Sequence, residues 1–62
     1  DREDDEIYAN LGIAYEKKGL YPEALKAYRS AYEINPETRV APRIPRLRIQ
    51  LLHKKDNRGS EP

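Results

Sequence analysis

Apolar residues fall at Ile7, Tyr8, Leu11, Ala14 and Tyr15, in steps of three and four that line one side of a helix. Ala9 and Ile13 widen that stripe. Lys17 and Lys18 then precede Gly19, a cationic last turn before a residue able to take a left-handed backbone. The spacing predicts a helix over 6–18. Ahead of it, residues 1–5 of the run DREDDE carry nothing to pack, and read as a frayed acidic lead with Asp4 or Asp5 as the N-cap. Leu20 and Tyr21 make the connection, and Pro22 and Glu23 suit the first turn of a second helix. Ala24, Leu25, Ala27, Tyr28, Ala31, Tyr32 and Ile34 repeat at helical spacing up to the terminator Asn35-Pro36, which predicts a helix over 22–34. A connection this short forces the two helices to lie antiparallel and touching, with Gly12 and Ala24 small enough to let the backbones approach.

A third amphipathic stretch follows. In RIPRLRIQLLHKK, residues 43–55, the apolar residues Ile44, Leu47, Leu51 and Leu52 are expected on one side, with arginines between them. Pro45 biases Ile44 away from helical torsions, so regular helix is expected from about Pro45. Residues 37–55 therefore read as a linker and a basic amphipathic helix, and 56–62, DNRGSEP, as a disordered tail without apolar residues. The fold class is all-α: a helical hairpin over 6–36 and a third, C-terminal helix.

The hairpin also carries a specific pattern. It reads Tyr8-x2-Leu11-Gly12-x2-Tyr15, then Ala24-x3-Tyr28, then Ala31 and Pro36. This resembles the tetratricopeptide repeat, a helix–turn–helix unit of about 34 residues with the pattern W-x2-L-G-x2-Y…A-x3-F…P. Tyrosine stands where that pattern has tryptophan and phenylalanine, keeping a flat ring in each slot. The resemblance covers roughly residues 5–38 and implies an α-solenoid fragment in which these eight residues are packing positions. Displacing the pattern by about 34 residues puts Tyr8 on Pro42, Leu11 on Pro45, Gly12 on Arg46 and Tyr15 on Ile49, so no second repeat follows. A lone repeat cannot bury its apolar face, and stacks of about three are the usual minimum. The third helix resembles the solvating helix that often ends such arrays and would cover part of that face.

Composition narrows the chemistry. The 62 residues contain no cysteine, which excludes disulfides and thiolate metal sites, and one histidine, His53, too few for a zinc site. Catalysis needs a nucleophile with a base, or paired acids, in a sheltered pocket. His53 lies beside Lys54 and Lys55, and the carboxylates of 1–6 form a run without defined geometry, so no catalytic, cofactor or metal residues are expected. No apolar run approaches the ~20 residues of a membrane span, and no signal peptide is present, so a soluble, cytoplasmic chain is the expectation. The start at Asp1 suggests a segment of a longer protein, its C-terminal part. The formal net charge of +1 hides a split. Residues 1–38 carry five basic against nine acidic side chains, net −4, whereas residues 39–62 carry seven against two, net +5.

The resemblance implies a non-catalytic protein–protein interaction module that binds a peptide or partner helix along its first helix. Carried onto this chain, that concave face is Glu6, Ala9, Asn10, Ile13, Glu16 and Lys17. Two other readings come from the residues themselves. Uncovered repeat surface and opposite charge in the two halves suit self-association, as a homodimer or higher oligomer. Arg39, Arg43, Arg46, Arg48, Lys54, Lys55 and Arg58 suit phosphate contacts to nucleic acid, although no aromatic there can stack on a base and the acidic half would repel phosphate.

Overall fold

Three helices run in chain order: α1 (Arg2–Lys17), α2 (Tyr21–Ile34) and α3 (Arg43–Ser60). The computed structural model describes residues 2–60, with side chains described over 4–53, and contains no strand among them. The turn between α1 and α2 closes as the lysines and glycine predict. Gly19 takes φ 81°, its N–H donates to the Glu16 carbonyl at 3.0 Å, and the Leu20 N–H reaches back to Tyr15 at 2.9 Å. Those two bonds are the paired closure of a helix end that requires a left-handed residue, which glycine adopts without strain. Pro22 then lies in the first turn of α2, where its missing N–H costs nothing.

Asn35 ends α2 in extended conformation, and its side chain accepts the Glu37 N–H at 3.1 Å. Bonds from Thr38 to Asn35, Ala41 to Thr38, Arg43 to Val40 and Ile44 to Ala41 wind the linker into consecutive tight turns. These turns deliver the chain into α3 two residues ahead of Pro45. The proline is thus held in the first turn and does not delay the helix. α1 starts at Arg2, so Asp4 and Asp5 are helical residues and not N-caps, and Asp5 is buried at 3% exposure where a frayed lead was expected. At the other end α3 runs to Ser60, past the expected end at 55. Residues 61 and 62 of the expected tail lie outside the described residues.

α2 is the central layer: α1 packs along one side of it and α3 along another, and α3 reaches α1 through the Arg43–Glu16 pair at its first residue. The core consists of Ala9, Ala24, Tyr28 and Ala31 from the hairpin, joined by Val40 of the linker and Leu47 of α3. Alanine at the crossings lets the helices approach closely, and the Tyr28 ring fills the space between them. α3 buries Leu47 and half-buries Ile44 and Leu51. Leu52, expected on the same side, is 62% exposed. At about 100° per residue it stands well off the Leu47 direction.

Candidate functional site

Of the six residues expected on a concave binding face, four are already engaged by the chain itself. Arg39, from the linker, donates through Nη2 to Asn10 Oδ1 at 2.8 Å and to Glu6 Oε1 at 3.3 Å, with Nε at 3.4 Å from Glu6 Oε2. Ala9 is fully buried beneath the same region. Glu16 Oε1 accepts the Tyr28 hydroxyl at 2.6 Å and Arg43 Nη1 at 3.1 Å. Ile13 is half-buried against the core, and Lys17 is exposed. The structure therefore gathers Glu6, Asn10 and Glu16 on one face but closes them with two arginines from beyond the hairpin.

The two clasps differ in strength. Arg39 and Glu6 are each about half exposed, a surface pair worth at most about 1 kcal/mol. The Glu16 carboxylate is more sheltered, and its bond to Tyr28 anchors a ring that is wholly buried. Burial is the main reason the Tyr28 hydroxyl is pushed up to about 12; the hydrogen bond to Glu16 and its negative charge act in the same direction, and Arg43 opposes them. The phenol is held neutral, as a donor.

The packing residues fall into two groups. Ala24, Tyr28 and Ala31 are buried, Tyr15 is half-buried, and Gly12 lies against the Tyr28 ring and the Ala24 carbonyl. Pro36 is exposed at the start of the linker turns. Tyr8 and Leu11 are 38% and 42% exposed, and so do not act as buried knobs. With Tyr15 they form the α1 wall of a groove of about 330 Å³, whose α2 wall includes Ala27 and Ser30 and whose charged rim is Glu23 and Lys26. Ile7, 63% exposed, extends the same apolar stripe along α1.

Arg39 and Arg43 have partners that the sequence does not identify. They count there as part of a basic stretch, and here they are paired with carboxylates; Arg46 and Arg48 remain exposed. The only sequence signal for the pairing is the opposite charge of the two halves. Among the described residues no group of His, Cys, Asp or Glu could hold a metal ion, and His53 is exposed. No helix among them is long and apolar enough to cross a membrane. The arrangement offers a shallow apolar groove with a polar rim, suited to packing a side-chain surface.

Residues 6–38, more than half of the chain, match the family model described as tetratricopeptide repeat. No curated protein and no solved structure matches the chain.

Proposed function

Because the chain belongs to the tetratricopeptide repeat family, whose members are generally non-catalytic scaffolds for protein–protein interaction, we propose that it docks one helix of a protein partner in the α1–α2 groove. The observation that carries this is the exposure of Tyr8 and Leu11 on one stripe, in front of Ala27, with no other part of the described chain over them. An apolar stripe of this kind gains free energy only when something covers it. The small residues Ala27 and Ser30 on the opposite wall leave room for a helix to approach. Glu6, Asn10 and Glu16 contribute little to this docking, since a ligand there would first have to displace Arg39 or Arg43.

The test selects binders from a library of helix-forming peptides displayed against the immobilised chain. Titration calorimetry then compares a selected peptide on the native protein and on Leu11→Ser and Asn10→Ala variants. Loss of a central apolar contact should weaken binding at least roughly tenfold for Leu11→Ser, with Asn10→Ala nearly unchanged. The reverse pattern, or binding indifferent to Leu11, overturns the reading. Self-association is the second reading, favoured by the opposite charge of the two halves of the chain.

A further inference from the structure

Besides the groove, the described residues present an exposed apolar stripe on α3, beside a cleft between α2 and α3 that Tyr32, Ile44 and Pro45 line. On α3, Pro45, Ile49 and Leu52 are exposed, Ile49 at 55% and Leu52 at 62%. Their spacing of four and three residues aligns them along one side of the helix, opposite the side that Leu47 buries. The groove and this stripe face away from different flanks of the central helix. α2 meets α1 at the groove through Glu23, Ala27 and Ser30, and meets α3 on its other flank through Leu25, Arg29 and Tyr32. One end of the molecule therefore carries a groove, and the other end a ridge.

Their charges are complementary. Asp4 is exposed one turn before Tyr8 on the groove stripe, and with Glu23 it outnumbers Lys26, the one cation lining the groove. Arg48 flanks the ridge and is exposed. The same polarity holds for the whole chain, −4 up to residue 38 and +5 beyond it, and persists when the internal pairs Arg39–Glu6 and Arg43–Glu16 are set aside. Resting on the docking reading given above, we infer that the occupant of the groove is a second copy of this chain, which inserts its α3 ridge of Pro45, Ile49 and Leu52 against Tyr8, Leu11 and Ala27. Because groove and ridge are different surfaces, the contact is head-to-tail. It leaves a free groove at one end and a free ridge at the other, so assembly continues past the dimer unless the rotation closes a ring.

Light scattering and sedimentation of the native chain from micromolar to millimolar concentration test this, together with Leu11→Glu, which spoils the groove, and Ile49→Glu, which spoils the ridge. Both side chains are substantially exposed, and circular dichroism should show that each variant keeps its helices. The native chain should grow with concentration beyond the dimer, and less so in high salt, where exposed charges are screened. Each variant alone should associate at least roughly tenfold more weakly. An equimolar mixture of the two should form a heterodimer and stop, since it retains one intact groove and one intact ridge. A native chain that stays monomeric at every concentration overturns the inference, whether the groove is then covered by a partner helix or by another segment of a longer polypeptide. Persistent self-association of either single variant overturns it too, because a groove-to-groove or ridge-to-ridge pairing survives one of the two substitutions. A monomer that still binds selected peptides through Leu11 would leave the docking reading standing alone.

Discussion

Gly12→Ala separates the interests of the helix from those of the fold. Within α1 the glycine is a weak point, and alanine should favour the isolated helix by about 1 kcal/mol. In the folded chain the added methyl has nowhere to go. A Cβ at this position would meet Cε1 and Cδ1 of the Tyr28 ring, the latter at 2.5 Å, and the Ala24 carbonyl oxygen at 3.2 Å. The carbonyl belongs to the α2 backbone and cannot rotate away. The ring can move only by giving up full burial and its 2.6 Å bond to Glu16. Overpacking of this kind costs about 1 to 3 kcal/mol, and a weakened hydrogen bond about 0.5 to 1.5 kcal/mol more. Set against the helix gain, the net loss is roughly 0.5 to 3.5 kcal/mol. In a 62-residue chain that is a large share of the total stability. Urea and thermal unfolding followed by helical circular dichroism should show it, with the thermal midpoint falling roughly 4 to 8 °C per kcal/mol. The α1 peptide alone should become more helical with the same substitution. Pairing it with Tyr28→Leu should recover much of the loss, since the obstructing ring is then gone. A midpoint unchanged or raised by Gly12→Ala refutes the close approach of α1 and α2 at this position.

Two further outcomes follow from the core. The Tyr28 hydroxyl is raised from 10.0 to about 12 in the fold, so its contribution to stability is complete below pH 10 and disappears as pH climbs through about 12. Stability measured across that alkaline window should fall less steeply in Tyr28→Phe, and identical profiles would remove the tyrosine from the account. Leu47→Ala, at a site 1% exposed, should cost about 2 to 5 kcal/mol, whereas Leu52→Ala, at 62% exposure, should cost less than about 0.5 kcal/mol. Equal costs in urea titrations would mean that α3 presents a different side to α2.

The hairpin was legible because its punctuation is local. Gly19 after two lysines, Pro22 after a two-residue link and Asn35-Pro36 each act within a turn of where they stand, and α1 and α2 end or begin within two residues of those marks. α3 was harder to read for two reasons. Pro45 carries opposite meanings, breaking a helix in its interior and being tolerated in its first turn, and only the linker turns decide which applies. Leu52 adjoins Leu51 in sequence, yet one residue of helix turns the side chain by about 100°, enough to move it from the packed side toward solvent. The pairing of the expected concave face within the chain was hidden for a different reason. Arg39 and Asn10 are 29 residues apart, and Arg43 and Glu16 are 27 apart. No periodicity connects positions so distant; only the folded chain brings the arginines across. Tyr8 and Leu11 illustrate the remaining gap. Their residue types mark surfaces that want covering, but whether they are covered depends on what lies beside them.

The way the core is assembled explains how a single repeat can fold here at all. Within residues 6–38 the buried apolar positions are Ala9, Ala24, Ala27, Tyr28 and Ala31, and alanine removes little apolar area from water. Those alanines fix how closely α1 and α2 approach, but of the three largest fully buried side chains only Tyr28 comes from this stretch. Val40 and Leu47, the other two, lie beyond the matched repeat, in the linker and in α3. Arg39 and Arg43 flank Val40 and tie the same segment back onto α1. The linker and third helix thus take on, for one flank of α2, the burial that a neighbouring repeat supplies in a stack. Nothing in the described chain does the same for the other flank, where Tyr8 and Leu11 remain open. On the docking proposal, folding and binding are divided between the two flanks of one helix, so substitutions at Leu47 should act first on stability and those at Leu11 first on association.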